Sequence, residues 1–412
     1  MRCSTFASSP RSGRDYRILV IILKKEEKLL TGCITLTNPN VVVARHCFGG
    51  IGDHLSCLIG AWWLARRTDR TLVVDWRGSR FNTDPTMRKN CFFNYFEPRQ
   101  TLGGVQVLAD DSVGNLKYLT PMWPAKWTSA GLASADHLKH SADEVAAVNQ
   151  LVTSDSNLSE PTIVLNQWVE PFPSPEMVRL FLADLLLSEQ IRAEAWQFWD
   201  QHVGSAFAVG VHIRHGNGEN VGARAAYWLG PIALMRQLSM NARNDVHRPG
   251  LFGQFSDNMP ASLVGSSSQA AAEKRFCRQV AQDFRAFTQK LNVANAVPFL
   301  FCDSRQIIET MRQFLPNLVV RPKIIPEKGE GPLHQFRAGA ADSVTQQGIR
   351  GGTVPSRITL DMFVELELMQ RCQALMYMDS GFSVLARSKL ERSHQFRLQP
   401  SRANRLITRW MS

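Results

Sequence analysis

The stretch Phe207 to Val211 is a short apolar run that meets a dense polar cluster, His212, Arg214 and His215, with Gly216-Asn217-Gly218-Glu219 directly behind it. A run this short and this apolar reads as a strand covered on both faces, the pattern of a parallel sheet with helices above and below. In an open α/β sheet, ligands sit outside the carboxyl ends of the strands. The reading therefore ends the buried strand at Val211 and places His212, Arg214 and His215 beyond it, facing a ligand crevice. Arg214 carries a permanent charge and a planar fork of donors matched to phosphate oxygens. Gly216 and Gly218 allow close backbone approach. Taken alone, an H-x-R-H is read equally well as a solvated basic turn.

A second unit of the same kind precedes it. Val41 to Ala44 is a buried strand, and Gly49-Gly50-Ile51-Gly52-Asp53 is a glycine-rich turn. His54 to Arg67 has helical periodicity, with Leu55, Leu58, Ile59, Trp62 and Trp63 on one side, and Thr71 to Trp76 is the next strand. This is a βαβ unit without a G-x-G-x-x-G or a P-loop lysine. What remains is a backbone loop at a helix N-terminus, a sound place for an anion.

With 412 residues the chain exceeds one ordinary core. The division reads as an N-terminal extension at 1–39, disordered or spurious, a first domain at 40–204, and a second domain at 205–412. The Gly/Ser/Pro-rich stretch 244–270 reads as a flexible insertion. Further elements are a strand at Thr162–Leu165, one or two helices over Glu176–Trp199, and a helix at Pro231–Met240. Beyond them come a helix at Arg275–Leu291, a strand at Val297–Cys302, a helix at Ile307–Phe314, a strand at Leu318–Val320 and a helix at Thr359–Cys372. A last strand at Ala374–Met378 leads into a final helix through the turn Asp379 to Ser383. The aromatics Phe92, Phe93, Tyr95, Phe96, Trp123 and Trp127 suit either sugar stacking or packing of a loop-rich region.

The net charge of +11 suits anionic partners, but arginine is scattered rather than blocked, and no nucleic-acid recognition element is legible. None of the eight cysteines forms C-x-x-C or a zinc spacing, so they read as reduced core thiols. No metal site is expected. No apolar run reaches membrane-spanning length. The expectation is a cytoplasmic protein resting peripherally on the inner face of the plasma membrane.

Three strand ends in the second half carry polar groups: Arg214, Asp303 and the Asp379–Ser383 turn, with Asp361 at a helix start. An arginine with glycine- and serine-bearing turns suits a diphosphate, and a carboxylate suits ribose hydroxyls or a guanine edge.

Arg66 to Ser79 and Gly210 to Glu219 strongly resemble the nodulation protein Z family, rhizobial α-1,6-fucosyltransferases acting on chitooligosaccharides. Ala226-Tyr227-Trp228, Gly331 to His334 and Leu360-Asp361-Met362 resemble it in the same order. The resemblance implies an α/β fold of glycosyltransferase-B type, two Rossmann-like domains facing a cleft. It implies GDP-L-fucose as donor substrate, with no cofactor and an oligosaccharide acceptor. It gives Arg214 the place of the essential arginine on the donor diphosphate and His212 that of its H-x-R neighbour, while His215 and Asn217 continue the motif. It makes Asp303 and Asp361 donor-site acids, Ser383 a phosphate-turn serine, and Gly50 and Gly52 the facing glycine turn. The family's proline-bearing turn before Ser383 is replaced here by Asp379-Ser380-Gly381-Phe382. Inverting transfer to a chitooligosaccharide N-acetylglucosamine is the expected reaction, with Glu219 and Asp53 as base candidates. The rival reading is a non-catalytic protein that keeps the nucleotide-sugar cleft.

Overall fold

The computed structural model describes residues 40–45, 50–167, 174–215, 266–325 and 356–400, with Tyr227, Glu327, Asn404 and Arg405. Residues 85, 98, 112, 114–115, 117, 134–140, 154–158 and 379 within those ranges are not described. The helix expected at Pro231–Met240 and the loop Gly329–His334 lie outside the described residues.

The first sheet holds β1 (Val41–Arg45), β2 (Thr71–Asp75), β3 (Thr101–Leu102), β4 (Val105–Leu108), β5 (Met122–Trp123) and β6 (Thr162–Leu165). Its order is β3-β4-β2-β1-β6-β5, parallel except for the β3–β4 hairpin. β1 and β2 are buried along their whole length, as their apolar runs require. Helix α1 (Ile51–Arg67) connects them. It starts earlier than its apolar periodicity suggests because Gly50 caps it. α1 is buried almost all round, which is the mark of a helix enclosed by other elements.

Helices α2 (Pro175–Asp184) and α3 (Glu189–His202) follow, each with a serine at its N-cap. The second sheet holds β7 (Ala208–Ile213), β8 (Val297–Cys302), β9 (Ala374–Tyr377) and β10 (Gln395–Arg397) in the all-parallel order β10-β9-β7-β8. Leu318–Val320, expected as a strand, makes only a single bridge, Val319 to Phe299. Its helices are α4 (Ser266–Lys290), α5 (Arg305–Phe314), α6 (Ser356–Arg371) and α7 (Gly381–Lys389).

One expectation is corrected. The end of the anticipated insertion 244–270, Ser266 to Ala270, belongs to helix α4; the rest of it lies outside the described residues. Serine-rich composition hid a helix start whose apolar stripe only begins further on. For the aromatic cluster the structure decides between the two readings left open. Phe92, Tyr95, Phe96 and Trp127 are buried, and Phe93 and Trp123 pack against the core, so packing accounts for them rather than an exposed sugar platform.

One hydrophobic cluster joins the first sheet and α1 to Phe363 of α6, Leu385 of α7 and Phe299 of β8. A second fills the other face of the second sheet beneath α4 and α5. The described cysteines Cys57, Cys91, Cys277, Cys302 and Cys372 are free and buried. No helix among the described residues is long and apolar enough to cross a membrane.

Candidate active site

Strand register brings the polar ends together. Ile213 of β7 pairs with Cys302 of β8, so Arg214 and Asp303 emerge side by side one step beyond. Arg214 Nη1 donates to Asp303 Oδ2, and the His215 backbone N–H donates to Asp303 Oδ1 at 3.0 Å. Burial by itself would raise the Asp303 carboxyl; Arg214, then His215 and Lys323, together outweigh it and hold the pKa below the usual carboxylate range. Asp303 thus fixes the direction of the arginine fork. The His215 ring lies buried 3.3 Å from Glu273 of α4.

His212 corrects the expected strand end. β7 continues through Ile213, and His212 is a buried strand residue paired with Tyr377. Burial, with Arg214 adding to it, pushes its pKa down to about 3, so the ring is neutral at ordinary pH. Its Nδ1 has no hydrogen-bond partner among the described residues.

Across the cavity, two helix N-termini meet. Gly50 caps α1, and its N–H donates to Asp53 Oδ2 at 2.5 Å. Ser380 caps α7, its hydroxyl accepting from Phe382 N–H at 3.3 Å. A Cβ placed on Gly52 would lie 2.4 Å from the Gly381 carbonyl carbon. Only glycine permits this approach, which brings the positive ends of two helices to one place.

The cavity of about 190 Å³ is lined by Gly50, Gly52, Asp53, His212, Arg214, Asp303 and Ser380 to Phe382, together with Lys323, Glu365, Met362 and Phe301. Its anion-directed groups are the two helix starts and the arginine. Lys323 Nζ donates to Glu365 Oε2 at 2.5 Å, both side chains being buried. Burial raises the Glu365 carboxyl, with Lys323 offsetting part of the rise. Among the described residues no group of three or more His, Cys, Asp or Glu is placed to hold a metal ion.

Two expected site residues lie elsewhere. Asp361 is not a helix-start residue, because α6 begins at Ser356. It is not among the described residues lining the cavity; it pairs with Arg321 at 2.8 Å and Arg357 at 2.7 Å, and both arginines also hold Glu194 of α3. Ser383 is buried inside α7, and its hydroxyl donates back to the Ser380 carbonyl at 3.0 Å. Ser380 holds the cavity-lining position instead, because the cap residue, not the third helical residue, borders the open N-terminus. Asn217 and Glu219 lie outside the described residues. Lys323, Glu365 and Ser380 escaped the sequence reading. The available signals were a lysine just past the Leu318–Val320 run and a carboxylate inside the apolar stretch Met362 to Leu366.

Parallel sheets wound with helices, a strand-end arginine and two facing glycine-bearing helix starts define a protein of the glycosyltransferase-B class. Residues 38–250 match the Nodulation protein Z (NodZ) family, and the chain belongs to it. It is 25% identical to Nodulation protein Z of Bradyrhizobium diazoefficiens over 77% of this chain and 73% of that protein. Against Nodulation protein Z of Sinorhizobium fredii the identity is 25% over 86% of this chain and 92% of that one. Among solved structures, the NodZ α-1,6-fucosyltransferase soaked with GDP-fucose matches with a TM-score of 0.53 at 22% identity, covering 85% of this chain and 92% of that chain. The Bradyrhizobium fucosyltransferase NodZ matches with 0.53 at 20% identity, covering 85% and 93%.

Proposed function

We propose that this protein is an inverting fucosyltransferase that moves L-fucose from GDP-β-L-fucose in α-1,6 linkage to an N-acetylglucosamine of a chitooligosaccharide. Membership of the NodZ family supports the reaction class. The observation that carries the site assignment is the meeting of the α1 and α7 N-termini at Gly52 and Gly381, beside Arg214. Backbone N–H groups and an arginine fork converge there on the position a diphosphate would take.

In the transfer, the bond between the anomeric carbon and the β-phosphate oxygen breaks, and its electron pair leaves with GDP. The acceptor oxygen forms the new bond on the opposite face of the sugar, and its proton departs to a carboxylate or to water. The transition state is oxocarbenium-like, by analogy with glycoside hydrolysis. Charge grows on the leaving diphosphate, and donors already aimed at it stabilise that growth most. Arg214 is held in place for this by Asp303. Asp53 lines the cavity, but its Oδ2 already accepts from Gly50, which suits it to organising the turn.

The test is incubation with GDP-fucose and N-acetylglucosamine oligomers, with and without chelator, followed by mass spectrometry and NMR assignment of the linkage. The expected product is a singly fucosylated oligomer, formed equally in chelator, because Arg214 and the helix starts supply the positive charge. Binding of GDP-fucose without product would give the non-catalytic reading instead.

A further inference from the structure

The cavity carries polar atoms that a diphosphate cannot satisfy. Glu365 is buried, Lys323 occupies its Oε2, and its Oε1 has no hydrogen-bond partner among the described residues. His212 Nδ1 is a second buried atom without one. Both residues line the same cavity. Buried polar side-chain atoms are nearly always partnered, so two left open at one cavity call for a ligand that completes them.

The chemistry of that ligand is constrained. A carboxylate oxygen accepts, so its partner must bring a proton. A phosphate brings none at ordinary pH and is repelled by the carboxylate, so the diphosphate belongs at the glycine turns. A guanine edge presents adjacent N–H donors that match both oxygens of a carboxylate, which here would share Oε2 with Lys323; a guanine contact would show as an equal loss for every guanine ligand in the titration below. A hydroxyl fits, since it can give its proton to Oε1 and accept from Lys323 Nζ or meet His212. Met362 and Phe301 line the same cavity and offer apolar surface to the C–H face of a sugar ring.

We infer that Glu365, Lys323 and His212 form a subsite that reads hydroxyl groups of a sugar ring carried by the bound nucleotide sugar. This rests on the donor assignment above. The source of the hydroxyls is the transferred sugar or the ribose, and ligand choice separates the two.

Calorimetric titration of Glu365→Gln with GDP-fucose, GDP and a GDP analogue lacking both ribose hydroxyls tests it. Because the Gln variant leaves Lys323 buried without its counter-charge, the paired variant Lys323→Met/Glu365→Leu is titrated beside it; apolar replacement of a whole buried pair is often well tolerated. Losing a hydrogen bond to a charged group should weaken binding about ten- to a hundredfold. A loss for GDP-fucose with GDP unchanged assigns the transferred sugar. A loss for GDP-fucose and GDP that vanishes for the analogue assigns the ribose. Unchanged affinity for all three ligands in a folded variant overturns the subsite, as does an equal loss for all three. A wild-type protein that binds none of them removes the donor assignment and the subsite with it.

Discussion

Both sheets place buried charge at the carboxyl ends of their strands, but they use it differently. At the end of the first sheet, Asp75 accepts from Arg77 Nε at 2.9 Å and Nη2 at 3.0 Å, and Arg45 Nε lies 3.4 Å from the same carboxylate. Arg77 then donates to the Leu132 carbonyl, and Arg45 lies over the Trp127 ring. Arg77 and Asp75 answer one another under a cover of protein. At the end of the second sheet, Arg214 is aimed by Asp303 into a cavity where His212 Nδ1 and Glu365 Oε1 have no protein partner among the described residues. The first arrangement holds a fold together. The second keeps its costs open for a ligand to relieve, as binding sites do.

Asp75→Ala gives the comparison its hardest test. It strands two buried guanidinium groups and should cost about 3–5 kcal/mol of stability by chemical denaturation. Any donor binding by the protein that remains folded should match wild type. A loss of GDP affinity larger than the unfolded fraction explains would make the first sheet part of the donor site.

The His212 ring separates the sheets by pH. Its folded pKa of about 3 lies below the ordinary 6.5, so the unfolded chain takes up the proton first. Stability from this residue is complete above the ordinary value and is lost as pH falls toward the folded one. Asp303, held low, acts in the same direction at lower pH, whereas Glu365, held high, gains stability as pH falls. Between about pH 7 and about pH 4.5, His212→Gln should lose about 2 kcal/mol less than wild type. Parallel pH profiles would mean that the ring is already protonated or exposed.

Gly52→Ala has the smaller effect on stability and a sharper one on function. The added Cβ meets the Gly381 backbone, which cannot rotate away as a side chain could. Parting the helices should cost about 1–3 kcal/mol. GDP affinity should fall with it, since the two N-termini no longer converge. A variant with lowered melting temperature and normal GDP affinity would leave the glycine pair a packing device only.

Much of this was legible in the sequence, for identifiable reasons. Val41–Ala44, Thr71–Trp76, Thr162–Leu165 and Val297–Cys302 are short apolar runs that read as covered strands, and strands lie at Val41–Arg45, Thr71–Asp75, Thr162–Leu165 and Val297–Cys302. Arg214 and Asp303 could be placed at one crevice because strand ends converge in such sheets, whereas Gly50 and Gly52 were brought to it only by the family resemblance. A polar residue ordinarily ends a buried run, yet His212 lies inside β7 because its neutral ring tolerates the interior. The directions of Asp361 and Ser383 depend on where α6 and α7 begin, at Ser356 and Gly381, and helix boundaries are weakly marked by local sequence. The Lys323–Glu365 pair, like the bond between Arg321 and Glu194, joins residues far apart in the chain, and no local pattern announces it.

The most direct measurement is the steady-state rate of fucosyl transfer from GDP-fucose by wild type and by Arg214→Lys. Lysine keeps the charge but loses the planar fork that Asp303 orients. The predicted result is a fucosylated product from wild type and a kcat/KM lowered in the variant by about 2–4 kcal/mol of transition-state stabilisation. A variant with near wild-type kcat/KM would remove Arg214 from the diphosphate and contradict the account.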